Sequence, residues 1–578
     1  MKRRTALAFA VVASLALSVF AADAPKPTEY LWFEAETPAA SSPSFKSIRE
    51  GDRGPEVLSE ERWLGAQAGW KQPPFAEYDV NVPADGDYDF YVRKFWKHGP
   101  FRWRFDEGQW QSVGRDIALL DDAFIRVHWG ANWVWAGRAG LTAGKHRLRI
   151  EGTDPAGGPI YLDCFLLTRG LFVPRGRLKP DQPWPPAPEG WFTWNRSDTL
   201  LDPSPIDMRI LNEPQAGARG FVTAKGDSFV QGDRPVRFLA VNTGHDVMAM
   251  PHHLIDIHAR YLARHGINLV RMHGPVCVTA GPNAGDVDPA ALDRVFYYLA
   301  AMKREGIYMH LSIYFQHWFH PEKTGKFPGY NAGDMPFAIH FYNPAWQEMY
   351  RNWWRALLTR KNPYTGLALK DDPALMGCEL LNEDSFFFWT FDYKRIPAPQ
   401  MAMLEKLFGD WLKEEYGSVQ AALDAWKSPN EHDKPDEGRV GFPHLWQLFN
   451  RRNKRDQDTA RFLAETQRKF FDDHRRFLRE DLGFRAVICA SNWRTANTRF
   501  LGALDKWTNA GCDFLDHHGY FASWRKRNTP GFAMAPGDLV ADRSLARWDP
   551  GTPGAGGGRL ETPFLCATID GKPAMVSE

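Results

Sequence analysis

The sequence predicts two folded regions of different class, an antiparallel β-sandwich followed by a parallel barrel of alternating strands and helices. Between Tyr30 and Arg169, apolar and polar residues alternate in short stretches broken by Gly, Pro and Asp. From Gly220 onward, apolar strands alternate instead with helical segments. The stretch FVPRGRLKPDQPWPPAPEGW, rich in Pro and basic residues, lies between the two. A chain of 578 residues, 44% of them hydrophobic, is long enough for about three or four domains of ordinary size, or for one barrel with accessories.

The N-terminus reads MKRRTALAFAVVASLALSVFAADA. A basic start at Lys2–Arg4, an apolar run from Ala6 to Phe20 and the small-x-small site Ala22-Asp23-Ala24 predict a signal peptide over residues 1–24. The run is short of the ~20 residues that a spanning helix needs. The protein is therefore expected to be secreted or periplasmic, with no membrane association once the leader is cleaved. With 71 basic and 70 acidic residues, the net charge of +1 argues against nucleic acid as a partner. Export permits disulfides, yet Cys164, Cys378 and Cys489 sit in apolar runs and none of the six cysteines forms a CxxC.

The sandwich is expected over residues 28–170. AEYDVNVPADGDYDFYVRKF places Tyr78, Val80 and Val82 on one face, turns at Pro83–Gly86 and resumes with Tyr88, Phe90 and Val92. HRLRIEG and IYLDCFLL repeat the pattern. Aromatic content is high (24 Trp, 17 Tyr, 39 Phe), which fits either a rich core or flat platforms for sugar rings. In the sandwich, Trp63, Trp70, Trp96, Trp103 and Trp135 are candidates for either role. Residues 171–218 read as a Pro-rich linker.

The barrel region, 219–578, opens with the hairpin GFVTAKGDSFVQGDRPV. Seven strands follow, within RFLAVN, INLVRMHG, IYMHLSIYF, GCELL, FRAVICASNW, CDFLDHHGYF and PAMVSE. Most are separated by helical segments, and seven strands in this alternation favour a (β/α)8 barrel over an open sheet. A helical insertion over about 384–484 follows the fourth strand, carrying PQMAMLEKLFGDWLKEEYG and RNKRDQDTARFLAETQRKFFDDHRRFLRE.

Barrel sites are built from strand ends. In GCELLNED, Glu383 ends the fourth strand next to Asn382. Glu379 shares its parity but lies deeper, where a structural ion pair is expected, and Asp384 has stepped into the loop. By the same logic His273, His310, Tyr314, Asn492 and Trp493 are expected to line sugar subsites. His317 and His320, three apart, lack the helical context and acidic ligand of a metal motif.

These residues carry two resemblances. FEAE at Phe33–Glu36, the hairpin around VPADGDY, AGKHRLRIEG and the closing YLDCFLL resemble the jelly-roll carbohydrate-binding modules of families six and thirty-five. That resemblance implies a structural calcium ion held by acids at Glu34, Glu36 and Asp163. Asn382-Glu383, Arg271 in LVRMH, DHHGY and VSE, in that order, resemble the strand ends of clan A glycoside hydrolases, particularly family five. The resemblance implies Glu383 as general acid/base, Glu578 as nucleophile and Arg271 supporting the nucleophile. It further implies Asn382 on the sugar 2-hydroxyl, His518 and Tyr520 lining the cleavage site, and no cofactor for catalysis. Enzymes of this clan retain configuration, with carboxyl groups about 5–5.5 Å apart. Glu578 is the last residue, so the barrel is expected to lack its last strand and the chain to be a fragment, open to being inactive.

The expected function is a retaining glycosidase acting on a polysaccharide or oligosaccharide of β-glucan or β-mannan type. Three alternatives stay open. FGDWLKEEYGSVQAALDAW resembles the helical pair of family forty-two β-galactosidases and suggests an exo-acting enzyme. Gly226-Asp227-Ser228 resembles the nucleophile block of GDS-type esterases, although no Asp-x-x-His follows it and Gly-Asp is a common hairpin turn. A non-catalytic sugar-binding protein is the third.

Overall fold

The structure, a computed structural model, describes residues 29–49, 57–95, 97–115, 117–121, 130–156, 158–183, 185–191, 207–519 and 568–578. The leader segment, Trp96 and Tyr520 lie outside these residues. The chain divides into two compact units, Met1–Asp207 and Met208–Glu578.

The first unit holds two antiparallel sheets. One runs Lys46–Arg49, Arg62–Ala66, Ile160–Thr168, Gly86–Phe95, Ala131–Leu141, with Tyr30–Glu34 also paired to Ile160–Thr168. The other runs Ala40–Ser41, Phe75–Val82, Gly144–Gly152, Phe101–Phe105, Gln111–Val113. Period-two patterning makes the layers: Tyr78, Val80 and Val82 point inward on their strand, and the residues between them face outward. Phe90, Phe165, Leu148 and Trp103 from both sheets meet in one core. Trp103 is buried in that core and Trp63 in a separate small cluster with Leu58 and Ala131, which removes both as sugar platforms, while Trp70 and Trp135 stay half-buried. The Pro-rich segment is not all linker. Phe172 packs 5.0 Å from Tyr91 and 4.9 Å from Trp133, because the outer face of the first sheet is itself apolar there.

In the second unit, a small hairpin sheet (Thr223–Lys225, Ser228–Gln231, Arg234–Val236) precedes a parallel sheet flanked by helices. Its strands follow chain order: β1 (Ala240–Gly244), β2 (Leu269–His273), β3 (Tyr308–Ser312), β4 (Leu375–Glu379) and β5 (Val487–Cys489). A parallel pair, β6 (Leu515–Asp516) and β7 (Ala574–Met575), continues the series. Asp513 N donates to Ile488 O beside β5, and Asn242 Nδ2 at β1 donates to Ser577 O after β7. β3, β4 and β5 are buried on both faces, which explains why they read as apolar runs rather than as an alternation. The tail of the expected linker belongs to this unit, since Asn212 Nδ2 donates to Ile267 O and Ala216 N to Lys303 O.

Helices His252–Arg264, Pro289–Arg304 and Pro344–Thr359 connect the first four strands. Asp288 and Asn343 cap two of them, each followed by Pro at the first helical position. The long insertion holds Ala398–Tyr416, Val419–Trp426, Leu445–Asn450 and Lys454–Arg476. Asn453 and Asp456 form a capping box at the start of the last. No helix of the described residues is long and apolar enough to cross a membrane.

Candidate functional site

Parallel strands in chain order bring their C-terminal ends together, and the polar residues gather there. Arg271, near the end of β2, is the hub. It is buried, and its Nε and Nη2 donate to the two oxygens of Glu379 on β4, at 3.0 and 2.8 Å. Nη2 also reaches Asn382 Oδ1 at 2.6 Å, and Nη1 reaches Asn242 Oδ1 at 3.0 Å and Glu578 Oε1 at 2.6 Å. Burial disfavours its charge, but Glu379 and Glu578 more than offset this and hold its pKa above the usual value. Burial likewise pushes the Glu379 carboxyl up, yet the adjacent guanidinium holds it well below the carboxylate range. Glu379 is the structural ion-pair partner that its depth implied.

Glu383 does not end β4 as expected: the strand stops at Glu379, and Glu383 lies four residues on, in the loop, with φ of 49°, a left-handed conformation costly for a side chain with a Cβ. Two hydrogen bonds hold it: its N donates to Asn492 Oδ1 at 2.9 Å, and its O accepts from Gln316 Nε2 at 2.9 Å. Its Oε1 lies 2.6 Å from Nδ1 of the buried His518, which is also 3.6 Å from Glu578 Oε2. One carboxylate oxygen of Glu383, one of Glu578 and a ring nitrogen of His518 all lie within 4.8 Å of one another. Both carboxylates remain partly open to solvent. Three such donors could also hold a divalent cation, but the guanidinium against Glu578 opposes one by charge.

Behind His518 runs a polar relay that sequence reasoning missed. His518 Nε2 lies 3.1 Å from Ser577 Oγ, which donates to Asp516 Oδ2 at 2.6 Å. Asp516 Oδ1 accepts from His517 N and Ser577 N. Asn242 and Ser312 were also missed. Ser312 is the last residue of β3, the same signal that marked Glu383, whereas Asn242 is mid-strand on β1.

Several expected site residues have different places. Asn492 is buried; its Nδ2 donates to Glu379 Oε2 and its Oδ1 accepts from Glu383 N, so it holds the site instead of lining it. His273 rests 2.7 Å from Ser312 Oγ and 4.4 Å from the Trp318 ring; burial, then Arg271, pushes its pKa down to about 4, so it is neutral at pH 7. His310 is fully buried below the site, 3.7 Å from Glu379. Tyr314 is in the core against His340 and Trp353, because the chain has already turned outward from β3. Asp384 is a loop residue but a buried one. It accepts from Ala338 N and Ser385 N, and burial pushes its pKa up to about 7. Trp493 is half-exposed, 6.3 Å from the His518 ring.

Elsewhere, Gly226 and Asp227 form the turn of the small hairpin, and Asp227 accepts from Gly571 N, a structural use for the GDS stretch. Of the six cysteines, the five described are buried and free. In the first unit Asp163 is buried and paired with Arg93, and Ser59 bridges it to Glu34. Glu36 leaves one buried carboxylate oxygen without a hydrogen-bond partner; burial, then Glu34 and Asp163, pushes its pKa up to about 7.

No family model matches the chain. Mannan endo-1,4-beta-mannosidase 5 of Arabidopsis thaliana is 27% identical over 232 residues, 37% of this chain and 49% of that protein. Mannan endo-1,4-beta-mannosidase 1 of the same plant is 26% identical over 218 residues, 35% of this chain and 48% of that protein. The chain thus spans about half the length of these curated relatives. Among solved structures, the Podospora anserina GH26-CBM35 beta-(1,4)-mannanase is 13% identical, covering 61% of this chain and 76% of its own, with a TM-score of 0.19. A carbohydrate-binding module from Cellvibrio mixtus lichenase 5A, in complex with cellotriose, is 17% identical, covering 24% and 98%, with a TM-score of 0.18. TM-scores this low leave the fold comparison silent. The sequence similarity is distant, and it is to carbohydrate-active enzymes.

Proposed function

We propose that the second unit is a retaining β-glycosidase of the barrel type, acting on β-linked polysaccharide of mannan or glucan type. The observation that carries this reading is the approach of Glu383 to Glu578, with oxygens within 4.8 Å, at the open end of a parallel sheet. That closeness suits a double displacement, in which one carboxylate attacks the anomeric carbon directly, and leaves little room for the water of an inverting mechanism. The distant sequence similarity to mannan endo-1,4-beta-mannosidases supports the same chemistry and favours a mannan.

In this reading Glu578 is the nucleophile. Arg271 against its Oε1 favours the ionised form that attack requires. Glu383 protonates the leaving oxygen, then takes a proton from the water that hydrolyses the glycosyl-enzyme. The relay behind His518 supports the protonated start. Ser577 has one hydroxyl proton and gives it to Asp516, so the proton between Ser577 and His518 belongs to Nε2. When the ring carries only that proton, His518 accepts at Nδ1 and the proton on that 2.6 Å bond is supplied by Glu383. Asn382 spends its Oδ1 on Arg271, leaving its amide NH2 to donate to the sugar 2-hydroxyl. Tyr520, outside the described residues, is assigned to the cleavage site by resemblance alone.

Substitution tests the assignment. Glu383→Gln and Glu578→Gln should each lower kcat/KM on β-1,4-mannan by about a thousand-fold while leaving the fold intact by circular dichroism. Retention of activity by either variant would remove that residue from the chemistry.

The proposal extends to the first unit as a carbohydrate-binding module with a calcium ion at Glu34, Glu36 and Asp163, and to export of the protein. The unpartnered Glu36 oxygen suits a hard cation, and Asp163, already held by Arg93, would contribute least. Calcium should raise the melting temperature of the full chain, and Glu36→Gln should abolish the rise. An unchanged melting temperature would leave these acids without an ion to bind.

A further inference from the structure

Two groups of aromatic rings, joined through the adjacent residues Phe388 and Trp389, lead away from Glu383 along the long insertion and the segment after β5, and the chemistry above does not use them. His518 touches Glu383 on one side and faces Trp493 on the other, with ring centroids 6.3 Å apart. Trp493 meets Phe388 edge-on at 5.5 Å. The next residue, Trp389, meets Phe449 at 6.2 Å. Phe449 in turn lies parallel to Phe500, their planes 7° apart at 6.3 Å.

These rings come from four separate segments: the loop after β4, helix Leu445–Asn450, the loop after β5 and helix Thr498–Asn509. Their convergence is not the by-product of one amphipathic helix. Phe449 packs against the core, but Trp389 is 48% exposed and Phe500 40%. Apolar area of this kind on a protein surface marks a binding face. The guanidinium of Arg494 lies 5.5 Å from the Trp493 ring, and those of Arg452 and Arg499 lie 5.3 and 5.5 Å from Phe500. Exposed apolar rings, with guanidinium N–H donors over the Trp493 and Phe500 faces, offer a pyranose apolar contact for its C–H face and donors for its hydroxyls.

We propose that this track binds the length of a β-linked glycan chain beyond the scissile bond, so that the insertion reads polymer length. The occupant follows from continuity, since the track begins at the residue that touches Glu383. The inference rests on the glycosidase reading above.

The test compares the full chain with its Trp389→Ala/Phe500→Ala double variant on β-1,4-mannohexaose and β-1,4-mannobiose. Two quantities are read, kcat/KM and calorimetric affinity. The double variant should lose about ten-fold more on mannohexaose than on mannobiose, the scale of one or two lost ring contacts. Trp389→Tyr, which keeps a ring, should recover most of the loss at its position. An equal response to the two sugars, or no response, overturns the track and turns the patch into a face for another protein. If the full chain hydrolyses neither sugar, the glycosidase reading fails on its own. Affinity still decides the track in that case: no mannohexaose binding, or the same binding in the double variant, overturns it.

Discussion

At the residue scale, the site is one buried cation shared among carboxylates. Arg271 fixes Glu379 bidentately below and reaches Glu578 above, so a single side chain holds both the supporting carboxylate and the one proposed as nucleophile. The relay Asp516–Ser577–His518–Glu383 is the second device, and it makes a prediction. Ser577→Ala removes the acceptor that fixes the His518 tautomer. His518 is then free to carry its proton on Nδ1 and donate it to an ionised Glu383, which favours loss of the acid form. The alkaline limb of the kcat/KM–pH profile should therefore move to lower pH, while the acid limb stays in place. An alkaline limb that does not move would separate the relay from Glu383. Glu383 was legible from its place after the fourth strand, and Arg271 and Asn382 from the resemblance. Depth was legible for Glu379 but not on β3, where the inward series includes both His310 and Ser312 and only register with β2 puts Ser312 beside His273 and His310 beside Arg271. Nor could sequence foresee that Asn492 would hold the Glu383 backbone, a contact across 109 positions.

At the element scale, strands and helices were more legible than their joints. The two longest helices of the insertion fall on the stretches whose periodicity marked them, Ala398–Tyr416 and Lys454–Arg476. The linker was misjudged at both ends, because Phe172 and Ala216 are apolar residues that find cores in different units. Close strand approach is written in one glycine. A Cβ on Gly377 would stand 2.4 Å from Val487 O, so β4 and β5 can pair only because that position is bare. Gly377→Ala should destabilise the second unit by about 1–3 kcal/mol, measured by chemical unfolding, the cost typical of overpacking. It should also lower activity, because the β5 end carries Asn492 and with it the Glu383 backbone. A variant as stable as the parent would mean that the β4–β5 spacing relaxes without cost.

At the scale of the whole molecule, a unit of antiparallel sheets and a unit of parallel sheet with helices share one chain. The change of texture near Gly220 was legible because period-two patterning and buried parallel strands leave different sequence signatures. The proposed chemistry rests on residues far apart in sequence, with Arg271, Glu383 and Glu578 brought together by the return of the strands to one sheet end. The central claim is that Glu383 and Glu578 work as a retaining pair, and the most direct measurement is the anomeric configuration of the first product. Proton NMR of mannohexaose hydrolysis, followed from the first minutes before mutarotation, should find the β-anomer. Initial formation of the α-anomer would contradict the account, because carboxylates this close leave no place for the water that inversion requires.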